Sequence, residues 1–221
     1  MKTWVAVLVL LAVEAPCAER HAVSPLSRRV HHFSIGRSSA LNALLWLGHD
    51  EGLCLGIEFS SRELDNIVRV EADNTTVREV IKKIMGSSDV YRLSVSDGVI
   101  LIRKKGVKPP TWLDHRLPQF ELPRMELMWA NIRLSMMVEL DLDPSLKGFA
   151  GDYPKTDPID EVGPFHEHGQ TVRKLLIKIV TSSRGASWFP TIQGVRFSFP
   201  ATINRFWTLV TYSGPNVTRP K

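Results

Sequence analysis

Apolar residues recur with the period of a helix in one phrase that the chain uses twice. The first copy runs from Thr76 to Ser88 and the second from Thr171 to Ser183. Val77, Val80, Ile81, Ile84 and Met85 form one stripe, and Val172, Leu175, Leu176, Ile179 and Val180 the other. This spacing predicts two helices that each bury a single face. Arg78, Lys82, Lys83, Arg173, Lys174 and Lys178 fall off the stripes, toward water. Thr76 with Glu79 has the spacing of a capping box, which satisfies free amide groups at a helix start.

The rest of the first half follows from the same patterning. His31 to Ile35 reads as a strand, and Ser38-Ser39 as the start of a helix through Ala40 to Gly48. Leu41, Leu44 and Leu45, with either Trp46 or Gly48, mark the buried side of that helix, and Gly52 its stop. Leu53 to Phe59 reads as a short apolar strand, Ser60 to Asn66 as a polar loop and Ile67 to Ala72 as an alternating strand. Asp73 to Thr76 reads as a turn. Asp97-Gly98 between the alternating runs Tyr91–Val95 and Val99–Arg103 predicts a hairpin, because such turns need positive φ.

The second half repeats this plan with distortions. Phe120 to Leu122 parallels the first strand, and a helix over Leu127 to Leu140 is expected to bury Met128, Ile132, Met136 and Leu140. Leu146 to Gly169 is long and irregular, with Pro154, Pro158 and Pro164. Ala186–Thr191 and Val195–Phe199 flank Gln193-Gly194 as a second hairpin, and Arg205 to Tyr212 reads as a further strand. The expected class is α+β: two related small modules, each a short mixed sheet with two helices packed on one face. The divisions are a signal peptide over 1–18, a module over 30–103, a linker over 104–116, a divergent second module over 117–212 and a tail over 213–221.

Composition adds little to this. At 221 residues, 43% hydrophobic and 23% charged, the chain has apolar material for real cores. Its net charge of +5 permits an acidic partner without demanding one. Lys2, the apolar run Val5 to Val13 and the break at Glu14-Ala15-Pro16 have the form of a secretory signal, too short for a membrane span. Cutting after Cys17 places Ala15 at the −3 position. Cutting after Ala18 places Pro16 there, which is poor. Cys17 also raises a lipoprotein reading, for which Glu14-Ala15-Pro16 is a bad match. Processing would leave Cys54 without an internal disulfide partner, and its apolar setting makes it a small hydrophobe of the core.

Phe33 to Arg103 resembles the short domain at the N-terminus of secretins and of signalling TonB-dependent receptors. The features that carry the resemblance are Ala40-Leu41, Ala43-Leu44, Gly52, Ile67 to Val70, Thr76-Val77-Arg78-Glu79, Gly86 and Asp97-Gly98. The C-terminal half resembles a divergent second copy, matched well from Thr171 to Phe199. The resemblance implies a bacterial envelope location, a role in binding other proteins and no catalytic residues. No secretin or β-barrel sequence follows before Lys221, so a free-standing periplasmic protein is expected. Its partners would be envelope proteins, an outer-membrane or secretion-system component among them, with no nucleic acid, no cofactor and no transmembrane span in the mature chain.

Candidate chemistry is sparse. His166 and His168, two apart on a strand, could turn both imidazoles toward one ion, but two ligands are too few for a closed metal site. His31-His32 would complete it only if the first strand lay near. Asp141, Asp143, Asp152, Asp157, Asp160 and Glu161 form an acidic stretch, read as a solvated loop rather than an acid–base pair. A small metal- or substrate-handling envelope enzyme using the 152–168 loop is the alternative reading. Arg78, Lys82, Arg173, Lys174 and Lys178, on the repeated helices, are the candidate partner-binding residues. Trp188, Phe189, Phe197, Phe199, Phe206 and Trp207 make the C-terminal region aromatic, as core or as binding surface.

Overall fold

The computed structural model describes residues 23–86, 89–142, 161–182, 186–191 and 194–198. The protein is α+β, with four helices among these residues. In the first half β1 (Arg29–Ser39) leads into α1 (Ala40–Glu51), then β2 (Cys54–Ile57), β3 (Ile67–Thr76) and α2 (Val77–Met85). The hairpin of β4 (Tyr91–Ser96) and β5 (Val99–Lys104) follows. In the second half come β6 (Arg116–Leu122), the two-residue β7 (Met125–Glu126) and α3 (Leu127–Leu142). After them come β8 (Glu161–Val162), β9 (Phe165–Thr171), α4 (Val172–Thr181), β10 (Ser187–Thr191) and β11 (Gly194–Ser198).

Both copies of the repeated phrase are helices, and both expected stripes are buried. Thr76 Oγ1 accepts from the Glu79 amide, and Thr171 Oγ1 from the Lys174 amide, each at 3.3 Å. Such a cap is worth about 1 kcal/mol. Glu79 turns away from the reciprocal half of the box and pairs with Lys82 at 2.9 Å. The first amide of each helix is satisfied from outside it. Val77 donates to the carbonyl of Arg28 and Val172 to that of His115. Each of these carbonyls follows a 3-10 turn, Pro25–Ser27 and Thr111–Asp114, whose Leu26 and Leu113 are buried. The stretch 104–116, expected to be an extended linker, therefore ends in a turn that docks on the second core.

The expectation of a separate sheet for each module is replaced by one shared sheet. Its order is β11-β10-β2-β5-β4. β2 lies parallel to β5 on one side and to β10 on the other, so the hairpins of both halves flank it. Two antiparallel ribbons, β1–β3 and β6–β9, stand apart from this sheet. The physical reason is the burial of β5 on both faces. Ile100 and Ile102 enter a core with α1, α2 and the β1–β3 ribbon. Val99 and Leu101 enter a second core with α3, α4 and the β6–β9 ribbon. A strand buried on both faces reads as an unbroken apolar run, as Val99-Ile100-Leu101-Ile102 does.

β10 is fitted to β2 by one glycine. Trp188 pairs with Gly56, and a Cβ on Gly56 would stand 2.7 Å from the indole ring. Gly48 on α1 makes a similar close approach, with Leu55 and Ser187 within 3.4 Å of a notional Cβ.

Several local expectations are corrected. α3 buries Leu127, Ala130, Leu134 and Val138 together with Asn131 and Ser135. Ile132, Met136 and Leu140 of the expected face are only partly buried. This helix is apolar nearly all round, so period alone does not select its face; small Ala130 and Ser135 lie on the side that packs. Asp73 to Thr76 continues β3 instead of turning, with Asn74 at φ 46°. Ser60 to Asn66 contains a 3-10 turn, Ser61–Leu64, that buries Leu64. The irregular second-half segment resolves into β9 from Phe165 onward. Thr191 pairs with Gly194, so Gly194, expected in the turn, already belongs to β11; Gln193 lies outside the described residues. The strand expected over 205–212, with Phe206 and Trp207, lies outside the described residues, as do Phe199, residues 1–18 and the tail.

Candidate docking surface

One cluster of charge among the described residues is internal. Glu58 follows β2, its amide bonded to the Ile102 carbonyl at 2.9 Å, and the residue is 1% exposed. Arg103 on β5 donates to it from Nε at 2.6 Å and from Nη2 at 3.1 Å. Arg173 in the first turn of α4 donates from Nε at 2.8 Å and also reaches Asp114. Two guanidiniums thus share one buried carboxylate, and a second carboxylate balances the group. Burial alone would pull the Arg173 guanidinium down, but its hydrogen bonds to Glu58 and Asp114, and their charges, hold it above the usual arginine value. Glu58 is the fully buried member, whereas the side chains of Arg103 and Asp114 are 34% and 65% exposed, so the change that leaves a buried charge unpaired, and costs about 3–5 kcal/mol, is the loss of both guanidiniums.

This places Arg173 differently from its expected role as a surface contact. Its side chain is 17% exposed and is committed to Glu58 and Asp114. The other expected partner-binding residues divide. Lys82 pairs with Glu79, and Lys178 pairs with Glu167 while lying 5.0 Å over the Phe165 ring. Arg78 and Lys174 are exposed and have no side-chain partner among the described residues. Sequence reasoning missed Glu58. Its signal was a carboxylate at the end of an apolar run, with an arginine closing the next strand.

Lys174 and Lys178 line a groove of about 280 Å³ with Asp97, Glu167, Gln170, Leu175, Ile177 and Thr181. The β4–β5 turn forms one lip, where Asp97 and Gly98 have φ of 47° and 81°. α4 and β9 form the other. Leu175 and Ile177 are the floor. Ile177 occupies the position held by Lys82 in the first copy, and this exchange widens the apolar face of α4.

β4 leads directly into this lip, and it is an edge of the shared sheet among the described residues. Its hairpin closes with two residues, so Ser96 and Val99 bond each other and every second pair below them does likewise. The backbone groups of Tyr91, Leu93 and Val95 point away from β5. Two flanking bonds agree with this alternation: Lys105 N–H to Val90 O at 2.8 Å, and the Ile102 carbonyl turned to Glu58. Val95 is 39% exposed, and β4 carries no proline or bulge to blunt its edge.

The remaining candidates lie elsewhere. His166 and His168 sit on the exposed face of β9, opposite Glu121 and Gln119 of β6. His31 and His32 belong to the other ribbon, where His32 Nδ1 lies 2.6 Å from Asp73. Among the described residues no group of three or more His, Cys, Asp or Glu could hold a metal ion. Cys54 is partly exposed against the second core, and its thiol donates to the Val180 carbonyl at 3.3 Å. The acidic stretch over 143–160, and with it most of the 152–168 loop, lies outside the described residues; Asp141 faces His115 at 2.7 Å. Trp188 and Phe189 are buried in the two cores. No helix among the described residues is long and apolar enough to cross a membrane.

Comparison of the chain with family models, with curated proteins and with solved structures gives no match. Its class is therefore defined by its own architecture: an α+β protein whose two cores share one sheet.

Proposed function

We propose that this protein is a non-catalytic interaction module of the cell envelope, which docks an extended segment of another envelope protein along β4. The observation that carries this reading is the edge that β4 forms among the described residues: three residues, Tyr91, Leu93 and Val95, turn their backbone groups away from β5. Main-chain hydrogen bonds to such an edge supply affinity, and side chains on alternate faces supply selectivity. The secretory form of the N-terminus and the resemblance to the secretin and TonB short N-terminal domain support an envelope location. They also support an outer-membrane or secretion-system component as the partner.

A photocrosslinking residue at Val95 of the full chain, expressed in its native envelope, tests the docking. It is expected to trap one defined envelope protein. The same residue at the exposed Asp50 on α1 is expected to trap none. Val95→Pro, which removes an outward N–H, is expected to abolish binding of the trapped partner. Equal adducts from both positions, or undiminished binding by the proline variant, would place the interface elsewhere.

A further inference from the structure

The docking edge is not electrically neutral on both faces. Side chains of β4 alternate, so Tyr91, Leu93 and Val95 lie on the face of α1 and α2, whereas Arg92, Ser94 and Ser96 lie on the face of α4. On that second face Arg92 stands directly opposite Arg103 of β5, a like-charged cross-strand pair. Arg103 is compensated by Glu58, which it shares with Arg173. Arg92 is exposed and has no carboxylate among the described residues.

α4 lies on this same face of the sheet, over β2 and β10. Its first turn meets Arg103 through Glu58, and its later turns meet Asp97 at the groove. α4 therefore runs in the same sense as β4, from the Arg92 end toward the turn. In the groove Glu167 is engaged by Lys178, which leaves Lys174 without a carboxylate partner. Asp97 stands on the opposite lip, bonded by the Ser96 hydroxyl at 3.4 Å. An extended segment laid along β4 would thus pass two uncompensated cations on its α4 side. On its other side it would pass Leu93 and the exposed Val95.

Building on the docking reading, we infer that the partner segment is a strand with carboxylates on its α4-facing side and apolar side chains on the other. Its carboxylates meet Arg92 and Lys174, and its apolar side chains extend the face formed by Leu93 and Val95. Charge on the rim then selects the partner while the backbone holds it.

Two synthetic peptides test this on the full chain. One is acetyl-Thr-Glu-Val-Glu-Val-Glu-Thr-amide; the other has every Glu replaced by Lys. Titration followed by amide chemical shifts is expected to move residues 91–97 and Lys174 with the Glu peptide. The Glu peptide is expected to bind about tenfold more tightly than the Lys peptide at low salt. The double variant Arg92→Glu, Lys174→Glu is expected to invert that preference. If both peptides move β4 with equal affinity, the acidic-partner inference falls and docking along β4 stands. If neither moves β4, or both act on another edge, the docking reading falls with it.

Discussion

Gly56 has no side chain because Trp188 needs the space. Any Cβ there would meet the indole at 2.7 Å and a Leu101 methyl at 2.8 Å, both inside the second core. Gly56→Ala should lower stability by about 1–3 kcal/mol, as overpacking of a filled core does. Urea unfolding measures this, and the cost should shrink in a Trp188→Leu background. Equal costs in both backgrounds would remove the indole as the cause. His32 offers a second test at this scale. Its hydrogen bond to Asp73, and then that carboxylate's charge, raise its pKa above 6.5 against a small opposing effect of desolvation. A raised histidine contributes stability fully below its unfolded pKa and loses it as pH rises through the folded value. Asp73→Asn should therefore bring the NMR titration midpoint of His32 down toward 6.5, and should cost stability at pH 5.5 but not at pH 9. An unmoved midpoint would show that the pair does not form in solution.

At the scale of elements, what the sequence made legible depended on how strongly local chemistry constrains the chain. The two repeated helices, the Thr76 cap, the Gly52 stop and the Asp97-Gly98 hairpin were readable because each rests on a stripe or a backbone requirement. The packing face of α3 was not, because Ile132, Met136 and Leu140 compete with Leu134 and Val138 around a helix with little polar surface. Nor was the buried role of Arg173, since Arg78 at the matching place in the first copy is exposed. Which strand β10 would join was equally hidden, because parallel pairing leaves no turn signal. That pairing can be tested by chemistry. The parallel register of Ser187 with Leu55 and Trp188 with Gly56 puts Ala186 beside Cys54, both against the second core. Ala186→Cys should form a disulfide with Cys54 on oxidation, since neighbouring strands bring Cα atoms within disulfide range. The intact mass would fall by two hydrogens. A variant that keeps two free thiols would contradict the register.

For the whole molecule, the shared sheet ties the two cores into one unit. α2 packs on one face and α4 on the other, and the Glu58 group spans the halves. Native-state hydrogen exchange should give the buried amides of α2, α4 and β5 one common opening free energy, the signature of a single cooperative unit. If α4 exchanges through openings several kcal/mol easier than those of α2, the halves unfold as separate units and the sheet does not couple them.

β5 carries a further consequence. Its four central side chains are shared out two and two between opposite cores, so the strand has no dry side to spare and no wet one. A chain bearing one copy of the repeated phrase could fold its own ribbon and helices, yet it would leave Val99, Leu101 and the flat notch at Gly56 facing solvent. A surface of that kind draws in other chains and drives aggregation. The repetition in this sequence is therefore a condition of solubility: each copy is the lid that keeps the other from becoming sticky, and neither is a cassette that could be cut out and reused.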